Sequence, residues 1–535
     1  MVLTPDRLTA LYEGNEPPTE PELLEVEDSI SETTSQLGRL DDSISRVRET
    51  LRALEYEREP LAEKLAYQKR ITHPLRRMPD DILSEIFLAC IDEDVGHTWV
   101  VDDEDSFDLR QAPWVLVQVS RRWREVGLSY PRLWSIIRVS LEESDGISGG
   151  HFRVSLLVLL LQRSAMHPLS VSINAPASYN SPGKPFLHPL LQVLLPTSSR
   201  WKSARFTLPG GLPAFNYLRG SLQNLHYLDI VKRGFRTDAA ITPDAFEFAP
   251  SLRCLAIHAY RLTVSTWALP WHQLTSIEYD GSVTETLTLL QKTSANLLEA
   301  RLTIRTVYLD DHGEHNDSSG DSLAEPIVVQ QLKHLSISQA SNDNGFVEVF
   351  NNVTLPSLKS LSVELFAVTY TGPNDLPSDS PSARIIALLH RSQCSLDSIE
   401  LHFDMGPIEI MQLFQCSPQL RLFDSRYMSS SEGLVQLLDA LTRDSASPSS
   451  CLVPELKTIK WSIDAEIDQN TCQKLLGMVQ SRCEDDDSGE GKALKSCGIW
   501  VDSGLDPESV QVKNCIQRCR EKGMDVDISR HQVAG

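Results

Sequence analysis

The sequence predicts an α/β protein in three stretches: a long, coiled-coil-like N-terminal helix, a small all-helical module, and a leucine-rich-repeat-like βα solenoid with parallel strands. Three observations carry this. An L-x-x-L-x-L pattern recurs through the C-terminal part, an apolar heptad seam runs near the N-terminus, and two short amphipathic stretches lie between them. The expected boundaries are a flexible N-terminus over 1–21, a heptad helix over 22–70, the helical module over 72–138 with an acidic insertion at 92–111, and the solenoid over 139–530.

The heptad seam starts at Leu23 and continues through Val26, Ile30, Leu37, Leu40, Ile44, Val47, Leu51, Leu54, Leu61 and Leu65 in alternate steps of three and four, with Thr33 and Arg58 as polar exceptions. Charges between the seam positions suit a solvated helix. Gly38 and Pro60 lower helix propensity and are expected to kink or end segments. So narrow a seam is expected to form a homodimer through 22–65, to pack back on its own chain, or to take a partner.

In the module, Pro79 suits a first helical turn, where its missing N–H costs nothing, and Asp80 and Asp81 place negative charge at the positive end of the dipole. Ile82, Leu83, Ile86 and Phe87 then form one apolar stripe, which Leu88 extends. A second amphipathic stretch covers 113–128, with Val115, Val119, Trp123 and Val126 on one face. Two short helices bury little area, so such a module needs a neighbouring domain or a partner.

The blocks Met78-Pro79-Asp80-Asp81-Ile82-Leu83-Ser84-Glu85-Ile86-Phe87, Ser120-Arg121-Arg122-Trp123 and Pro131-Arg132-Leu133-Trp134 occur in this order. Together they resemble an F-box, the helical module by which substrate receptors join cullin-type ubiquitin ligases; the helix ahead of it resembles the arrangement common in fungal F-box proteins. The resemblance implies binding to a Skp-type adaptor and, through it, a cullin. Pro79, Ile82, Leu83, Ile86 and Phe87 are implied as the adaptor-facing wedge, with Val119, Trp123, Leu133 and Trp134 completing it or its core. Two departures stand out: Ser120 replaces the usual Cys, and the acidic segment 92–111 is longer than the usual inter-helix turn.

Beyond residue 140 the strand pattern begins at Leu225, Leu252, Leu274, Leu332, Leu358, Leu396 and Leu456, with weaker copies at Leu298 and Leu420, so successive starts fall 22 to 38 residues apart. That brackets a leucine-rich period of about 20–29 residues with insertions. Irregular earlier units surround Leu169 and Trp201. First, fourth and sixth positions point into a shared core, while polar residues such as His226, Arg253, Lys333 and Lys359 face out. Helices are expected over 283–290, 383–389, 408–414, 434–441 and 472–479. The usual turn-closing Asn is largely missing, so the repeats read as degenerate.

Composition narrows the function. With 535 residues, 41% hydrophobic and 23% charged, the chain is globular and long enough for several core-bearing units. A net charge of −23 opposes nucleic-acid binding, which needs a basic field. No signal peptide or membrane-length apolar run is read, so a cytoplasmic or nuclear protein is expected. Ten cysteines show no metal spacing and are expected to be reduced thiols. His312 and His315 fit no structural metal loop, and Gly146-Ile147-Ser148-Gly149-Gly150 matches a nucleophile elbow without the buried strand it requires. No enzyme, cofactor or metal is therefore expected. The function read is a substrate receptor with an unknown target protein, the alternative being a non-ligase scaffold built on the coiled coil and solenoid.

Overall fold

The computed structural model describes residues 5–14, 17–91, 105–141, 150–175, 188–208, 217–232, 243–258, 267–305, 326–339, 345–365, 380–428, 430–443, 451–483, 494–503, 506–507 and 509–530. Acidic residues 102–104, Ser148, the loop with His312 and His315, the Pro- and Ser-rich stretch 370–379 and the acidic stretch 484–491 lie outside the described residues. The chain divides into two compact units, Met1–Ile86 and Phe87–Gly535.

The first unit holds α1 (Pro5–Glu13), α2 (Glu20–Ile71) and the opening of α3 (Asp80–Ala89). Within the stretch 1–21, expected to be flexible, lies α1, a helix over Pro5–Glu13 whose Arg7 donates to the Glu22 carboxylate at 3.0 Å. Glu22 also accepts from the Thr19 backbone N–H at 2.8 Å, which fixes the start of α2. The Arg7 bond first, and the Thr19 bonds second, hold the Glu22 carboxyl down at about 2. α2 runs for 52 residues, straight through Gly38 and Pro60, and ends with Lys69 and Arg70 in its last turn, where cations suit the helix dipole. None of its residues is buried.

The second unit is built on fourteen strands: β1 (Ile136–Ser140), β2 (Leu169–Asn174), β3 (Trp201–Leu208), β4 (Tyr227–Lys232), β5 (Cys254–His258), β6 (Ser276–Gly281), β7 (Glu299–Ile304), β9 (His334–Gln339), β11 (Ser360–Leu365), β12 (Ser398–Asp404), β13 (Leu422–Tyr427), β14 (Thr458–Glu466), β15 (Ser496–Ser503) and β16 (Asp525–Arg530). They follow one another in chain order, and each pairs in parallel with the next. Two short strands between them, β8 (Ile327–Val328) and β10 (Val353–Thr354), form a separate parallel pair. Such an order is what stacked repeats produce, because each unit touches only its neighbours.

Registers align the pattern read in the sequence. Leu228, Leu255 and Ile277 stand side by side, as do Ile230, Ile257 and Tyr279, all buried. The leading leucines, including Leu225, Leu252, Leu274 and Leu358, are buried as well. Between the leading and fourth positions the backbone continues the ladder: Arg253 donates to the His226 carbonyl at 3.0 Å, and Lys359 to that of Lys333 at 2.9 Å.

The expected helices are present as α7 (Val283–Thr293), α9 (Pro381–Ser392), α10 (Pro407–Cys416), α11 (Leu434–Leu441) and α12 (Gln469–Ser481), joined by α8 (Gly345–Asn352) and α13 (Val510–Glu521); from α7 to α13 each packs on the next. Three strands of the large sheet go beyond the sequence reading, β1, β15 and β16, as does the short pair β8 and β10. The leading positions of β1 and β16 carry Trp134 and Gly523, and the fourth position of β15, after its leading Leu494, carries Cys497, which hides them from a leucine-based search.

Candidate protein-docking site

α3 starts from Pro79, whose carbonyl accepts from the Leu83 N–H at 3.0 Å, and carries Asp80 and Asp81 in its first turn. The predicted apolar stripe is present but has two unlike edges. Leu83 is buried completely and Phe87 likewise, whereas Ile82 is 47% exposed, Pro79 exposed and Ile86 half-buried. In helical projection Ile82 and Ile86 lie one turn apart on one edge, and Leu83 and Phe87 on the other. The inner edge is core. The outer edge leaves aliphatic surface in water.

The second amphipathic stretch, expected as one helix, breaks in two. A 3-10 turn at Leu116–Gln118 precedes α4 (Arg121–Ser129), and Ser120 separates them in extended conformation, its hydroxyl accepting from the Trp123 N–H at 3.1 Å. A side-chain oxygen at that position is what a helix start requires, so Ser120 is a working N-cap. Arg124 Nε donates to the Val117 carbonyl at 3.0 Å and ties α4 back to the turn.

Within the second unit, Phe87 and Trp123 bring their ring centroids to 5.0 Å at an angle of 56°, and Trp123 is half-buried. Val119 is 58% exposed. Leu133 and Trp134 are fully buried, and Trp134 Nε1 donates to the Gly127 carbonyl at 2.7 Å. Gly127 is required by this approach: a Cβ there would sit 2.8 Å from Val117 Cγ1 and 3.5 Å from Leu133 Cδ2. Trp134 also stands three residues before Ile137, whose partner in β2 is Val171, so it takes the place that Leu225 takes before Leu228. Leu133 and Trp134 therefore belong to the core rather than to a docking surface.

Several residues missed by the sequence reading anchor this region to the sheet. Ser106 donates its N–H to the Arg138 carbonyl at 3.0 Å and accepts from the Arg138 N–H at 2.8 Å, covering the outer edge of β1. Trp114 Nε1 donates to the Ser106 carbonyl at 2.8 Å, and Trp114 meets Trp134 edge-on at 5.2 Å. From α5 (Gly150–Arg163), the Arg163 guanidinium lies over both rings, 4.3 Å from Trp134 and 5.1 Å from Trp114, and burial pulls its pKa below the usual arginine value. Arg153 pairs with Asp105 and donates to the Ser140 carbonyl at 2.6 Å. Nothing in the spacing of these residues announces their meeting, because they are joined only through the sheet edge.

Of the nine residues implied as adaptor contacts, Pro79, Ile82 and Val119 are exposed, Ile86 and Trp123 half-buried, and Leu83, Phe87, Leu133 and Trp134 buried.

The sheet face opposite the helices is polar and internally paired. Arg205 on β3 meets Asp229 on β4 at 2.6 Å, and His258 Nε2 on β5 lies 3.7 Å from Asp229 Oδ1 and 3.8 Å from Glu278 Oε1 on β6. Further along, Arg305 pairs with Asp280 at 2.6 Å and His402 faces Glu364 at 3.6 Å. These charges lie in a row across the strands, paired with one another. On this face burial raises the thiol of Cys254, and elsewhere burial raises those of Cys394 and, in the core, Cys497, the last to about 12, away from the reactive thiolate. Among the described residues no three His, Cys, Asp or Glu side chains are grouped to hold a metal ion. Among them too, no helix is long and apolar enough to cross a membrane.

No protein-family model matches this chain, and no curated protein matches it.

Proposed function

We propose that the chain is a substrate receptor of a Skp-cullin-F-box ubiquitin ligase, docking to the adaptor through the outer edge of α3 and holding a target protein on its repeat sheet. The observation that carries this reading is the divided stripe of α3. A helix whose apolar side chains served only its own core would bury them all, yet Ile82 stands 47% exposed beside a fully buried Leu83. An amphipathic helix that offers aliphatic side chains to a groove is a recurrent way of engaging another protein. The three ordered sequence blocks specify which groove, and the polar sheet face suits recognition of a polypeptide. The gain would be proximity of target to the ubiquitin-charged enzyme, with no covalent step on this chain.

The test is capture of a purified Skp-type adaptor by the full chain, measured by calorimetry. Ile82→Asp and Ile86→Asp each abolish capture while circular dichroism stays unchanged; undiminished capture by both variants refutes the assignment. A second reading, a non-ligase scaffold, draws support from the seam of α2, none of whose residues is buried. Copurification of the full chain without adaptor or cullin favours that scaffold.

A further inference from the structure

α2 leaves most of its apolar seam exposed: Leu40 is 60% exposed and Val47 64%, Val26 alone of its apolar seam positions is half-buried, and no residue of the helix is buried. In heptad terms, a positions run in sevens from Leu23 to Leu65, and d positions from Val26 to Leu61. The two helix-weakening residues, Gly38 and Pro60, fall at b and c, on the outer side, so neither enters the seam. A Cβ at Gly38 would meet nothing within 4 Å. An apolar stripe this long calls for a helix of similar length.

We infer that α2 pairs with α2 of a second copy of this chain, and that the two run antiparallel. The charges decide the direction. In a parallel pair each g residue faces the next e residue of the partner, which sets Glu22 against Glu27 at one end and Lys64 against Lys69 at the other, with no opposite-charge pair between. An antiparallel pair with the helix ends aligned, Glu20 opposite Ile71 of the second copy, removes both conflicts. Its flanking e positions then join Glu20 to Lys69 and Asp41 to Arg48, each twice by symmetry, and no like charges meet.

The seam supports the same alignment. Ile30 stacks with Leu61, Leu37 with Leu54, and Ile44 with Val47, while the two polar exceptions, Thr33 and Arg58, fall opposite each other in one layer. Sliding one copy by a heptad in either direction sets Arg58 against an apolar side chain, Val26 or Leu40. It also brings Asp41 against Asp41, or Arg48 against Arg48. Sequence, helix bounds and charge thus select one register. The two Ile71 ends then lie about 78 Å apart, from 52 residues at about 1.5 Å each.

Sedimentation equilibrium of the full chain tests both parts. The chain is expected to be a dimer, and Leu40→Asp to render it monomeric without loss of fold, since Leu40 is 60% exposed. Asp41→Arg and Arg48→Asp each weaken association about tenfold by turning two attractive pairs repulsive. The double exchange restores it, and an equimolar mixture of the two single variants forms the heterodimer. In a parallel pair Asp41 faces Gln36 and Arg48 faces Ser43, so neither single change would matter. A chain monomeric at about 100 μM, a dimer untouched by Leu40→Asp, or one indifferent to the charge exchanges overturns the inference.

Discussion

Leu83 and Ile82 are neighbours of nearly equal volume on one helix, and replacing each with alanine should produce opposite phenotypes. Leu83 is wholly buried, so Leu83→Ala removes its transfer free energy and leaves a cavity, together costing about 2–5 kcal/mol. Ile82 is 47% exposed, so at most about half of a side-chain burial worth roughly 1.5–3 kcal/mol is lost. Alanine's better helix propensity returns about 0.4 kcal/mol, leaving Ile82→Ala within about 1 kcal/mol of wild type. Hydrogen exchange of the α3 amides is the appropriate assay, because a chain of two compact units need not unfold in one step. Leu83→Ala should speed exchange across α3 by more than tenfold and Ile82→Ala by less than about fivefold. In adaptor binding the order reverses, with Ile82→Ala the weaker binder once Leu83→Ala is compared under conditions where α3 is folded. Equal acceleration of exchange by both variants would refute the two-edged reading of α3, and with it the docking proposal.

Other expectations follow from particular contacts. Gly127→Val forces a side chain into Val117 and should lower stability of the α4 region by about 1–3 kcal/mol, read as a fall in the first thermal transition. Ser120→Ala removes the N-cap of α4 at a cost of about 1 kcal/mol, whereas Ser120→Asp should be neutral or better by the same measurement. Arg482 is buried, and its guanidinium donates to the carbonyls of Leu441 and Leu452 at 2.7 and 2.8 Å; Arg482→Met leaves those acceptors unpaired and should cost about 3–5 kcal/mol in urea denaturation. Asp468 caps α12, and hydrogen bonds from the Thr471 side chain and backbone hold its carboxyl below the usual 3.8. A carboxylate depressed in the folded state stabilises above its unfolded pKa and loses that contribution as pH falls through the folded one. Exchange in the first turn of α12 should therefore rise below pH 3.8 in the wild type, and Asp468→Asn, which still caps, should abolish that pH dependence.

The repeat strands were legible because their pattern is local and has period two. A leading Leu with apolar fourth and sixth positions located β4 to β6, β9, β11, β12 and β14 without reference to neighbours; the weaker copies reached β13, whose sixth position is Ser425, and β7 one residue out of register, since Ala300 and Leu302 align with Leu335 and Ile337 and the buried leading residue is Leu297, not Leu298. β1 and β16 escaped because Trp134 and Gly523 hold their leading positions, and β15 because a small Cys497 follows its leading Leu494 at the fourth position. The 113–128 stretch read as a single helix because its apolar spacing survives the interruption at Ser120; only the cap geometry shows the break.

From the sequence alone came the parallel repeat class, the long helix with its seam, and the side chains forming the stripe on α3, since periodicity and end signals act over a few residues. The tertiary structure decided which side chains of that stripe are core: Leu83 and Phe87 went in, Ile82 stayed out, and Trp134 became the first rung of the repeat core. It also assembled Arg163, Trp114 and Trp134, residues as far apart as 114 and 163, into one buried cluster. Burial is a property of what the rest of the chain places against a face. A pattern that marks a residue as apolar carries no record of that neighbour.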